Sequence, residues 1–163
     1  MTATYDLLYS NVLTTNTTSV TISSISSSYR DLVLVIDGIA GNADFFPRVR
    51  FNSDTGSNYS WTNAQGNGST TASFSGTDTG QQLGNAVFFS TTTRTMIISQ
   101  IMDSSATDKH KTLLTRSNRA NQATEMLAGR WANTSAINSI QLYSANGNSL
   151  GPDTSIYLYG IVS

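Results

Sequence analysis

Apolar and polar residues alternate with period two from one end of this chain to the other, and no window of about 11 residues or more carries an apolar stripe at helical spacing. A strand points successive side chains to opposite faces, so this pattern describes half-buried strands and argues against a helical core. Val20 and Ile22 alternate with Thr21 and Ser23, and Val49 and Phe51 alternate with Arg48 and Arg50, which puts the two arginines on one face. Strands are predicted over Tyr5 to Leu13, Ser19 to Ile25, Tyr29 to Ile39, Pro47 to Asn52 and Ala86 to Thr91. Further strands are predicted over Thr95 to Met102, Lys111 to Arg116, Glu125 to Trp131, Ile137 to Ser144 and Ser155 to Val162. Turn-forming clusters separate them, including Asp103-Ser104-Ser105, Gly151-Pro152-Asp153 and the hairpin signal Asn146-Gly147. The expected fold is an all-β antiparallel β-sandwich, jelly-roll-like, of about 8 to 10 short strands. Residues 1–163 are read as one domain.

Two segments depart from simple alternation. The run Leu32-Val33-Leu34-Val35-Ile36 has too many apolar residues for a strand with one wet face, which predicts a central strand covered on both sides. Ser53 to Gln82 is dominated by Ser, Thr, Gly and Asn, broken only by Tyr59, Trp61 and Phe74. It reads either as an interaction loop or as a pair of weak edge strands turning at Gly66-Asn67-Gly68.

Composition limits the partners. Charged residues make up 12% of the chain, about half the usual 25%, and the net charge is -1. Such a chain lacks the field that gathers nucleic acid, and its arginines are scattered instead of forming a basic stripe. The longest apolar run falls far short of the roughly 20 residues that span a bilayer, so neither nucleic acid nor membrane is an expected partner. The stretch Met1 to Asp6 lacks the basic start and apolar run of a signal peptide, and the chain has no cysteine. Both features point to folding in a cytosol, and the second removes thiolate metal sites and thiol nucleophiles.

Little in the sequence offers catalysis. His110 is the single histidine, flanked by Lys109 and Lys111, and reads as a solvated surface residue; without a second histidine or a cysteine, most hydrolytic triads and zinc sites cannot be assembled. The 10 carboxylates could in principle supply a glycosidase pair, but most of them, such as Asp44, Asp103 and Asp153, fall in turn-like segments. Asn52 to Asn58 spaces oxygen side chains around Gly56 as calcium loops do, yet lacks a closing bidentate acid and reads first as a turn. Phosphate-loop and dinucleotide fingerprints are absent. The expectation is a non-enzyme without cofactor. Tyr59, Trp61 and Trp131 are the interaction candidates, since aromatic rings among hydroxyl and amide groups stack on sugars or anchor interfaces; core packing is the alternative for each.

Three stretches resemble a group of tailed-bacteriophage virion structural proteins. They are Ser28-Tyr29-Arg30-Asp31-Leu32-Val33-Leu34-Val35, the segment Val49 to Ser60 that opens Val-Arg-Phe-Asn-Ser-Asp, and Ile137 to Ser144 followed by the ending Ile156-Tyr157-Leu158-Tyr159-Gly160-Ile161 with its Leu-Tyr-Gly-Ile motif. The resemblance implies a β-sandwich or jelly roll displayed on the virion after synthesis in the host bacterial cytoplasm. Within that group it implies a capsid decoration, or cement, protein that binds the major capsid protein or other virion proteins and stabilises the head. The alternative it leaves is a tail or tail-fibre component that binds host-surface glycan. A homo-oligomer, specifically a trimer, follows by analogy, and no catalytic residue is carried over.

Overall fold

The computed structural model describes residues 4–162; Met1, Thr2 and Ala3, part of the stretch read for a leader, lie outside them. The described residues form β1 (Tyr5–Val12), β2 (Ser19–Ile22), β3 (Tyr29–Gly38), β4 (Pro47–Phe51), β5 (Tyr59–Gly66) and β6 (Thr71–Asp78). They continue through β7 (Gln81–Gln82), β8 (Thr95–Met102), β9 (Lys111–Arg119), β10 (Ala123–Trp131), β11 (Ile140–Ser144) and β12 (Ser155–Val162). No helix among them is long and apolar enough to cross a membrane. Every strand pairing is antiparallel.

The strands divide unequally, into an eight-stranded sheet ordered β1-β12-β3-β8-β9-β10-β5-β6 and a four-stranded sheet ordered β2-β11-β4-β7. One buried cluster joins the two sheets, with Leu34 and Ile36 from β3, Ile97 and Ile101 from β8, and Val49 and Leu142 from the small sheet. The all-β antiparallel sandwich therefore holds, built from twelve strands. Period-two burial along β9, where Lys111, Leu113, Thr115 and Ser117 are buried and their neighbours are not, shows why alternation carried the prediction.

The Ser53 to Gln82 region contains the predicted edge pair. β5 and β6 form a hairpin in full register from Tyr59↔Asp78 to Gly66↔Thr71, and Asn67 N–H closes the turn on the Thr70 carbonyl at 3.2 Å. Gly68, at φ +88°, takes the left-handed position that this turn requires.

The predicted strand from Ala86 to Thr91 does not form. Its start is captured by a buried acid, because the Glu125 carboxylate accepts the backbone N–H groups of Asn85, Ala86 and Val87 at 2.8, 3.0 and 3.2 Å. Amides bonded to a carboxylate cannot join a ladder, and only Phe89 makes a bridge, to Phe45.

β3 lies centrally, between β12 and β8, but among the described residues no second sheet covers its outer face. Leu32, Leu34 and Ile36 face the small sheet and are at most 1% exposed, whereas Val33 and Val35 face outward and are sheltered by neighbours in their own sheet, such as Tyr159 and Ile98. The apolar run is thus the sign of an apolar outer face, not of a sheet covered twice.

Candidate functional site

Burial separates the three aromatic residues singled out in the sequence. Tyr59 and Trp131 stand opposite each other in the β5–β10 ladder, and both are 0% exposed. Their rings stack at 6.4 Å with 15° between planes, and Phe51 packs 5.5 Å from Trp131. Both residues are core, which corrects the reading of them as contact residues. Parity dictates this outcome: each sits on the side of its strand that faces the small sheet. Their polar tips are satisfied inside. Tyr59 Oη accepts the Phe51 N–H at 3.1 Å and donates to the Asp54 carbonyl at 3.2 Å, while Trp131 Nε1 donates to the Asp54 carboxylate at 2.7 Å. Burial pushes the Tyr59 phenol up to about 12. Trp61 is half-buried, with its ring lying across Gly76 of the edge strand β6, where an added Cβ would meet it at 3.0 Å.

The calcium-like spacing from Asn52 to Asn58 folds as a turn closed on Asp54. That carboxylate accepts Gly56 N–H at 2.8 Å and Asn58 Nδ2 at 2.9 Å besides the indole. Burial raises its pKa, but these donors outweigh the burial and hold the carboxyl below the usual range. Among the described residues no group of three or more His, Cys, Asp or Glu is placed to hold a metal ion.

His110 is exposed, as expected, but the next residue is not. Lys111 is fully buried and donates to the carbonyls of Ala106, Lys109 and Thr134 at 2.6, 2.9 and 3.1 Å. Burial lowers its pKa, and the ammonium ties two loops to the start of β9. Nothing in the local sequence distinguishes this lysine from its solvated neighbour Lys109, because the cage comes from backbone.

Two other surfaces present what a binding partner needs. At one end of the sandwich, Phe46 and Phe88 meet edge-to-face at 5.6 Å, and the Arg119 guanidinium lies 3.8 Å over the Phe88 ring. Phe46 is 41% exposed. Beside them opens a cleft of about 380 Å³, also lined by Asp44, Arg48 and Asn146. Arg48 is held by Asp78 at 2.8 Å, and Asp44 accepts the Thr91 N–H at 3.0 Å, so both cleft side chains are fixed by neighbours. Sequence reading missed Phe88 because it assigned Ala86 to Thr91 to a strand.

The second surface is the outer face of the large sheet. One row across it runs Leu7, Tyr159, Val33, Gln100, Leu114 and Ala128; the adjacent row runs Tyr157, Val35, Ile98, Arg116 and Met126. Leu7 is 57% exposed, Met126 55%, Met96 40% and Leu114 39%. A shallow hollow of about 170 Å³ among Ile98, Leu114, Arg116 and Met126 marks its middle. Among the described residues neither Arg116 nor Arg130 makes an ion pair. Apolar side chains recur in register across several strands of this face, interrupted by the exposed Gln100 and Arg116, whereas single exposed ones are scattered over any surface.

No protein-family model matches the chain, and comparison with curated proteins finds no similar sequence. Among solved structures, a marine PL-14 alginate lyase from Aplysia kurodai aligns at 13% identity over 85% of this chain and 72% of its own, with a TM-score of 0.39. A protein of unknown function from Shewanella oneidensis MR-1 aligns at 11% identity over 98% of this chain and 77% of its own, with a TM-score of 0.22.

Proposed function

We propose that this chain is a structural protein of a tailed-bacteriophage particle, a decoration protein that docks on the head surface and stabilises it. It works by binding and assembly, without cofactor or catalysis. The observation that carries the reading is the uncovered outer face of the eight-stranded sheet, where Leu7, Leu114 and Met126 lie exposed on rows that cross the sheet. Apolar area of this kind gains free energy when a partner removes it from water. The partner is the major capsid protein or another virion protein that offers apolar side chains with carboxylates to meet Arg116 and Arg130. The virion setting rests on the sequence resemblance over Ser28–Val35, Val49–Ser60, Ile137–Ser144 and Ile156–Ile161, in β3, β4 to the start of β5, β11 and β12. Binding to the folded state alone also raises the stability of each copy by mass action, which suits a domain built without disulfides.

Heads purified free of tails are expected to contain this chain as a major surface component, visible on the capsid lattice by cryo-electron microscopy. Its confinement to the tail fraction would end the decoration reading.

A tail or tail-fibre role has its own supporting observation in the Phe46–Phe88 cleft. The exposed Phe46 ring and the half-buried Phe88 ring, flanked by Asp44 and Asn146, offer a stacking face and hydrogen-bonding groups to a sugar. In that reading host-surface glycan binds at the cleft, and Phe88→Ala abolishes the binding. Glycan binding that survives this change would remove the cleft from consideration.

A further inference from the structure

We propose that β6 is a pairing edge that joins two copies of this chain about a two-fold axis through Phe74, so that two eight-stranded sheets become one continuous sheet. The sandwich has four sheet edges, at β1, β6, β2 and β7. Three of them are guarded. β1 is interrupted by an irregularity between Leu7 and Tyr9 and carries Asp6; β2 has only four residues; β7 has two, and both are buried. Bulges, short length and cover are the devices by which proteins keep open edges from pairing.

β6 has none of them. It runs for eight residues, Thr71-Ala72-Ser73-Phe74-Ser75-Gly76-Thr77-Asp78, with no proline, no lysine and no charge before Asp78, which is itself engaged by Arg48. Every residue from Thr71 to Ser75 is exposed, and Phe74 is 51% exposed.

The ladder fixes which backbone groups remain free. The turn closes through Asn67 and Thr70, and the Phe74 N–H points toward β5, where the Asn63 side-chain oxygen accepts it at 2.7 Å. Antiparallel alternation then directs the backbone groups of Ala72, Phe74 and Gly76 toward β5 and those of Thr71, Ser73, Ser75 and Thr77 outward.

That outward set is self-complementary. Laid antiparallel on a second copy about Phe74, Thr71 faces Thr77 of the second copy and Ser73 faces Ser75, each pair exchanging backbone hydrogen bonds. Phe74 faces its own counterpart as a non-hydrogen-bonded pair, the class in which side chains approach most closely. No like charges meet. Ala72 and Gly76 face each other, and the Trp61 ring already covers the glycine, filling the space a side chain would otherwise occupy. Trp61, one of the sequence candidates, thus supports the interface from below.

An isologous contact of this kind closes at two, in place of the threefold arrangement expected by analogy. One edge and one aromatic pair bury less than the roughly 1,200 Å² of a standard stable interface, so the affinity is modest. The inference does not depend on the virion reading and is tested on the purified chain alone. Sedimentation velocity is expected to show reversible growth from monomer toward dimer mass between about 1 μM and 1 mM.

Ser73→Pro removes an outward N–H without touching the β5 ladder, a position where edge strands tolerate proline, and should weaken the dimer by about tenfold or more while circular dichroism stays unchanged. Because the chain has no cysteine, register is read directly by oxidation: Phe74→Cys should give a covalent dimer, whereas Ser75→Cys, displaced from its own counterpart, should not. A chain that remains monomeric throughout, forms trimers, or cross-links equally through both variants would overturn the proposal.

Discussion

The indole Nε1 of Trp131 donates to the carboxylate of Asp54 at 2.7 Å across 77 residues of chain, fastening the turn after β4 to the end of β10. The bond is a charge-assisted one, and Trp131→Phe removes it while keeping an aromatic ring in the core. The expected cost at neutral pH is about 1.5 kcal/mol for the hydrogen bond, plus a pH-independent loss of packing. The pH dependence separates the two. An unfolded aspartate titrates near about 3.9 and the folded Asp54 lower, so the stabilisation is present above roughly pH 4 and is lost as pH falls through the folded value. Urea midpoints of the native chain and the variant should therefore converge as pH drops from 7 to about 2, until only the packing loss remains. A constant gap would show that the carboxylate contributes nothing through this bond.

Glu125 gives a second prediction. Its buried carboxylate accepts three consecutive backbone amides and, at 2.6 Å, Asn63 Nδ2, so it replaces the ladder that the Asn85–Val87 segment lacks. Glu125→Gln keeps the shape but turns an amide NH2 toward donors, and roughly 3 kcal/mol of stability should be lost. Hydrogen exchange should quicken at residues 85–87 before β3 is affected. Unchanged protection there would mean that packing of Val87 and Phe89 suffices to hold the segment.

The core itself is tested at Leu34, which is 1% exposed in the middle of β3. Leu34→Ala should cost about 2 to 5 kcal/mol, since a central strand between β12 and β8 has little room to collapse into the cavity. A loss below about 0.5 kcal/mol, the level of neutral surface changes, would contradict its central place.

These residues also show what was legible in the sequence. Nine of the ten predicted strands form, and alternation marked those with one wet and one dry face, as along β9 and β10, while the apolar run marked β3. Alternation failed at Ala86 to Thr91, where apolar side chains are buried by a loop whose amides answer to Glu125, a residue distant in sequence. It was equivocal over β5 and β6, because an edge strand needs few apolar residues and Ser and Thr serve as well. Aromatic residues were visible but their surroundings were not: Tyr59 and Trp131 face the small sheet by strand parity, which only the register reveals. The outer face left a trace in the sequence, the outward valines of the Leu32 to Ile36 run, a pattern that a strand covered on both sides would share. Lys111 and Glu125 left none, since each is satisfied chiefly by backbone groups.

The outer face supplies the last prediction, and it separates folding from docking. Met126 is 55% exposed and Leu114 39%, on the side of the large sheet opposite the small one, so neither supports the core. Met126→Lys and Leu114→Lys should each change the stability of the isolated chain, read from its urea midpoint, by no more than about 1 kcal/mol, the span of strand propensities. On the particle the same changes bury a charge in an apolar contact, and head binding should fall by about tenfold or more for each. Arg116→Glu tests the electrostatic half of the argument: it stands between Ile98 and Met126 in the same row, and reversing its sign against partner carboxylates should slow association most at low salt. If all three variants decorate heads as well as the native chain does, the docking surface lies elsewhere. The Phe46–Phe88 end of the sandwich would then be the surface to examine, because there the exposed Phe46 ring stands beside fixed polar groups at the mouth of a cleft.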